Sequence, residues 1–210
     1  MKAIVATGTI VFLLVMFMLA QRAYGEETKG FDYYLLSLSW SPEFCQTHKD
    51  TDECTVPRTF ILHGLWPQYE DGGYPHSCHG ERVPEAVIQD IMPIMPNRHL
   101  IIHEWQKHGT CTGLDPSTYF ANAQQAFDGI AIPDVFMHPT KELTMSTSQI
   151  VDAFKKANPG LEDNAMQVVC PGEELSEVRF CLSKDGKTRA CGEIGNSCHS
   201  EQVNVVAPHQ

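Results

Sequence analysis

Leu36-Ser37-Leu38-Ser39-Trp40-Ser41 alternates apolar and polar residues one by one. A period of two marks a half-buried strand and sends Leu36, Leu38 and Trp40 to one face, towards a core. Downstream, Thr59-Phe60-Ile61-Leu62 is apolar and β-rich and runs into His63-Gly64-Leu65-Trp66-Pro67, so a second strand delivers His63 near its end. Residues 67–84, with Asp71-Gly72-Gly73-Tyr74-Pro75 among them, read as a loop. Helical spacing then takes over. Val87, Ile88, Ile91 and Met92 share a face, and Pro93 and Pro96 end that helix. A second helix starts near Asn97 and runs through His103 to Gly109, which is expected to close it. A third opens at Asp115-Pro116 with Tyr119, Phe120, Ala123 and Phe127 as its buried stripe. A fourth, capped by Ser146-Thr147-Ser148-Gln149, buries Ile150, Val151, Phe154 and Ala157 and stops at Pro159-Gly160. Strands return at 165–170, and 177–184 with 187–191 predict a hairpin about Asp185-Gly186. Strands, then helices, then strands predict an α+β domain: a central, mainly antiparallel sheet with flanking helices.

The first 25 residues stand apart. Lys2, an unbroken apolar run of 11 residues from Ile10 to Ala20, and Ala23-Tyr24-Gly25 make up a signal peptide, too short for a stable membrane anchor. Residues 26–210 are then one exported domain of 185 residues, enough for a sizeable core. No later stretch is apolar enough to span a bilayer, so no membrane partner is expected. Losing Lys2 and Arg22 turns the whole-chain 15 basic and 26 acidic residues into 13 and 26, a net charge of −13 with histidine neutral. Such a surface cannot hold nucleic acid through long basic patches. The 10 histidines would remove most of that charge in an acidic compartment. All eight cysteines follow the export segment, and an even set in an exported chain predicts four disulfides. No C-x-x-C pair exists to suggest zinc.

The densest chemistry is His103-Glu104-Trp105-Gln106-Lys107-His108-Gly109-Thr110-Cys111. On a helix, Glu104 and His108 share one face and His103 and Lys107 the next. His108, in the last turn at the negative end of the helix dipole and one turn from Glu104, is expected to favour its charged form. His103 and His108 lie five apart rather than the four of the zinc motif H-E-x-x-H, so roughly 140° of helical turn separates them. No metal site is expected, which disfavours a zinc hydrolase. By itself the helix could be a solvated polar face with Glu104 and His108 as a weak surface pair. His63 on a separate element changes this, because two histidines facing a substrate from two sides are what a general acid and base require.

Phe60-Ile61-Leu62-His63-Gly64-Leu65-Trp66-Pro67 and His103 to Cys111 resemble the two active-site segments of the ribonuclease T2 family of secreted acid ribonucleases. The likeness extends from Phe31-Asp32-Tyr33 and Ser39-Trp40-Ser41-Pro42, through Phe44-Cys45, to the last cysteines. It implies that His63 and His108 are the acid and base, Glu104 and Lys107 stabilise the transition state, and His103 binds phosphate. Trp66 and Tyr74 match aromatics that flank a bound base. The resemblance also implies the pairs Cys45–Cys54, Cys78–Cys111, Cys170–Cys198 and Cys181–Cys191, one of 105 possible pairings. Gln68 replaces an acidic base-reading residue of some members, and Leu100-Ile101-Ile102 replaces aromatics common before the second segment, so base preference does not carry over. No N-x-S/T sequon is present, which leans towards a bacterial source.

RNA supplies its own nucleophile, the 2′-hydroxyl, so the protein needs a base, an acid and a cation, and no metal or other cofactor. Neutral His108 would take the 2′ proton and protonated His63 would give one to the 5′ oxygen, although the sequence does not fix which histidine does which. The expected enzyme is a monomeric endoribonuclease of low base specificity with an acidic optimum. It would cut single-stranded RNA to 2′,3′-cyclic ends and leave DNA intact. Its place is secreted or periplasmic, with an acidic vacuole or lysosome as the alternative. The rival is a catalytically idle binding or cytotoxic protein on the same disulfide scaffold. His48, His76, His79, His99, His138, His199 and His209 are read as surface residues without a catalytic role.

Overall fold

Antiparallel pairing organises the chain. In a computed structural model describing residues 30–192, 198 and 200–208, strand β1 (Tyr33–Trp40) lies between β2 (Phe60–Gln68) and β5 (Glu177–Leu182), and β4 (Met166–Val169) pairs with the far side of β5. Every pairing in this four-stranded sheet is antiparallel. A second, two-stranded sheet joins β3 (Leu143–Met145) to β6 (Val203–Val205). The helices are α1 (Ser41–Thr47), α2 (Glu85–Ile91), α3 (Arg98–Lys107), α4 (Pro116–Asp128), the single turn α5 (Asp134–Met137) and α6 (Thr147–Ala157). The α+β class and the mainly antiparallel sheet are those expected. Residues 1–25, expected to be a signal peptide, and His199 and His209 lie outside the described residues. Among the described residues no helix is long and apolar enough to cross a membrane.

Leu36, Leu38 and Trp40 of β1 face the core as the alternation predicts, and all three are fully buried. Trp40 packs on Phe60 and Phe136, and Phe154 of α6 bridges Phe60 to Phe180 of β5. The opposite face differs from expectation. Instead of facing water, Ser37 is fully buried, and Tyr33, Leu35 and Cys181 form a smaller cluster with Trp66 and Cys191 against it. The polar alternation of β1 therefore marks the face that carries the site.

Two boundaries shift. Helix α3 stops at Lys107, with His108 as its C-cap and a 3-10 turn over Gly109–Cys111. Gly109 serves close packing rather than helix closure, because a Cβ there would stand 2.3 Å from the Trp105 ring. The expected second hairpin arm at 187–191 shrinks to one bridge, Leu182 to Thr188, with Arg189 N–H bonding Cys181 C=O. Gly186, at φ 81°, takes the left-handed turn. A two-residue turn at Asp185-Gly186 would pair Lys184 with Lys187 and set Leu182 opposite Arg189; the bridge to Thr188 is one residue from that register, yet Cys181 still reaches Cys191.

All four disulfides pair as the resemblance implies: Cys45–Cys54, Cys78–Cys111, Cys170–Cys198 and Cys181–Cys191. Cys78–Cys111 ties the loop after β2 to the turn after α3, and Ser77 N–H bonds Lys107 C=O beside it. The contact holds Ser77 at φ 55°, a conformation a non-glycine residue adopts only under constraint. Because the bridge spans 33 residues, Cys78→Ala with Cys111→Ala should lower unfolding free energy by about 2–5 kcal/mol in denaturant titration.

Candidate active site

A break in the ladder aims the first histidine. Ser37 pairs with Gly64 but Leu38 pairs with Leu62, so His63 is an extra residue, a bulge, on β2. The bulge also switches the strand's inward phase from Phe60 and Leu62 to Leu65. The His63 ring reaches across β1 to β5. Its Nδ1 lies 2.7 Å from Oε1 of Glu177 and 3.1 Å from Ser39 Oγ. Its Nε2 faces Oε1 of Glu104, 3.6 Å away.

Glu104 is buried on α3 and accepts a hydrogen bond from Trp66 Nε1 at 2.5 Å. It was expected to work on His108. Its carboxylate turns instead to His63 and Trp66, because the face it shares with His108 points at β2. Gly64 makes room for this contact: a Cβ there would lie 2.3 Å from both Glu104 Oε2 and Trp66 Nε1.

Trp66 is the hub. His63 meets its ring edge-on at 5.2 Å, His108 stacks on it at 5.2 Å and 28°, and the Arg179 guanidinium lies over it at 5.0 Å. These contacts make it a partition between the two histidines. Tyr74, 41% exposed, leans on His108 at 5.5 Å and on His76 at 5.7 Å. Of the two aromatics expected to flank a base, Tyr74 is the open one. His103 is exposed and Lys107 half-buried, and the charges of both reach His108. His76, read as a plain surface residue, also acts on His108 through its charge.

The two histidines are driven apart electrostatically. His108 is 4% exposed, and burial, helped by Lys107, His103, His63 and His76, lowers its pKa to about 3. The expected stabilisation of its charged form is overturned, since desolvation outweighs the helix end. Its Nδ1 is buried without a hydrogen-bond partner, so the ring has no acceptor for a second N–H. At His63 burial also opposes charge, but the hydrogen bond and charge of Glu177, with the charge of Glu104, raise its pKa above the ordinary value. Glu177 itself falls to about 2, because His63 and Arg179 outweigh its burial. Burial pushes the Glu104 carboxyl up, against the pull of His63, Trp66 and Lys107. Sequence reasoning missed Glu177 and Arg179. Their alternation on β5 is visible in the sequence, but only the register sets them opposite Ser39 and Ser37. Among the described residues no cluster of three His, Cys, Asp or Glu could hold a metal.

His63 on the bulged strand and His108 at the end of α3 thus meet around one tryptophan with opposed charge preferences. Known proteins share this chain's sequence pattern and fold. The family model described as the ribonuclease T2 family matches residues 31–191. A protein called ribonuclease from Aeromonas hydrophila is 47% identical over 196 residues, covering 88% of this chain and 86% of that one. The structure of an RNase-related protein from Calystegia sepium superposes with a TM-score of 0.70 at 20% identity, covering 87% of this chain and all of that one. A mutant of RNase MC1, solved with 5′-UMP, gives 0.65 at 22% identity, covering 83% and 98%. The chain belongs to the ribonuclease T2 family and is an endoribonuclease.

Proposed function

We propose that the protein cleaves single-stranded RNA without a metal, with His108 as general base and His63 as general acid. The carrying observation is the opposed charge preference of two histidines that both rest on Trp66. Near pH 5 a ring titrating at about 3 is neutral and accepts a proton, while one titrating above the ordinary histidine value is charged and donates one. His108 takes the 2′-hydroxyl proton, the 2′ oxygen bonds phosphorus, and the bond to the 5′ oxygen breaks as His63 protonates it. The products are a 2′,3′-cyclic phosphate and a free 5′-hydroxyl. Lys107 and His103 offset charge on the phosphoryl oxygens, and Glu104 holds Trp66 and faces His63.

Tyr74 offers its exposed ring to a base, a contact that tolerates sequence and so suits low base specificity. The eight bridged cysteines suit an exported monomer, secreted or periplasmic. The test offers RNA, 2′-O-methyl RNA and DNA to the oxidised protein at pH 5 with excess EDTA. RNA alone is expected to be cut, to cyclic ends. Loss of RNA cleavage to EDTA, or cutting of the 2′-blocked strand, would overturn the mechanism.

A further inference from the structure

Glu177 is held more firmly than its neighbours require. Its Oε2 accepts from Ser37 Oγ at 2.9 Å, from Arg179 Nε at 2.7 Å and from Arg179 Nη2 at 2.6 Å. Three donors on one oxygen fix the plane of the carboxylate and leave Oε1 to a single partner, His63 Nδ1. The fixing residues come in register, since Ser39 pairs with Glu177 and Ser37 with Arg179 across β1 and β5. A carboxylate only accepts, so Nδ1 must carry hydrogen in both charge states of the ring. The exchangeable proton then sits on Nε2, the atom turned towards Glu104.

We propose that Glu177 is the positioning residue of His63: clamped by Ser37 and Arg179, it holds Nδ1–H and confines the proton that His63 gives up to Nε2. The proposal rests on the assignment of His63 as the acid. In the cyclising step the Nε2 proton passes to the 5′ oxygen and the ring is left as the neutral Nδ1–H tautomer, with no rotation needed before the next turnover. The site is thereby a carboxylate–imidazole pair with a guanidinium behind it. The other ionisable groups facing His63 are Glu104 from α3, Glu53 from the turn after α1, and His108.

The test is nitrogen-15 NMR of the histidine rings of the oxidised protein, with kcat followed against pH. Glu177→Gln removes the charge and is expected to lower the His63 titration midpoint by at least one unit, a tenfold change in proton affinity. The neutral ring should no longer be confined to Nδ1–H, kcat should fall more than KM rises, and the alkaline limb should move to lower pH. Arg179→Gln removes a cation from behind the same carboxylate and should move the midpoint the other way. Opposite shifts distinguish positioning from support of the fold, which both variants would weaken alike. A midpoint unchanged in folded Glu177→Gln overturns the proposal. If that variant does not fold, an unmoved or lowered midpoint in Arg179→Gln does so. The NMR arm needs no RNA, so a wild-type protein that showed the pair but made no cyclic ends would remove the proposed mechanism and leave the pair standing.

Discussion

His63→Ala and His108→Ala should each lower kcat/KM on RNA by about 10²–10⁴-fold, the usual worth of one positioned proton-transfer group. The wild-type pH profile gives the reason. Activity should rise as His108 loses its proton at about pH 3 and fall as His63 loses its own above the ordinary histidine value. Between those limits the protein holds the base neutral and the acid charged. The residual rate of His108→Ala should lack the acid limb and that of His63→Ala the alkaline limb. Initial rates from pH 2.5 to 9 would show this. Either variant keeping a rate within tenfold of the wild type would remove that histidine from proton transfer.

Gly64→Ala should damage both stability and turnover, although it adds only one methyl group at a residue that needs no left-handed backbone. That methyl would stand 2.3 Å from Glu104 Oε2 and from Trp66 Nε1, and Glu104 is 2% exposed with nowhere to withdraw. Overpacking of this kind costs about 1–3 kcal/mol. Here the displaced groups are those between His63 and His108, so kcat should fall more than about tenfold as well. Urea unfolding and initial rates measure the two effects. Repeating the substitution in a Trp66→Phe background, which lacks the N–H, should recover part of the stability cost. Equal costs in both backgrounds would assign the collision to Glu104 alone and remove Trp66 from it.

Much of this was legible in the chain. The period of two in residues 36–41, the capping box at Ser146 and the proline stops gave the order of the elements, because each is a local signal. His63, Glu104 and His108 could be singled out since their residue types and spacing already suit proton transfer. Their partners could not be. Whether Glu104 serves His108 or His63 depends on which face of α3 meets β2, a tertiary fact. Glu177 and Arg179 lie more than a hundred residues from His63 and look like an ordinary alternating strand until register is known. The charge state of His108 was misjudged for the same reason, as a helix end is local and visible whereas burial is not.

The extra residue at position 63 has a consequence for any attempt to stabilise this protein. Deleting one residue from β2 would remove the one break in its register with β1 and let the strand pair without interruption from Phe60 to its end. It would also turn the imidazole away from Glu177 or remove it, leaving an inert molecule. Selection for heat resistance alone does not ask for the irregularity, and only a screen that also demands turnover would keep it in place.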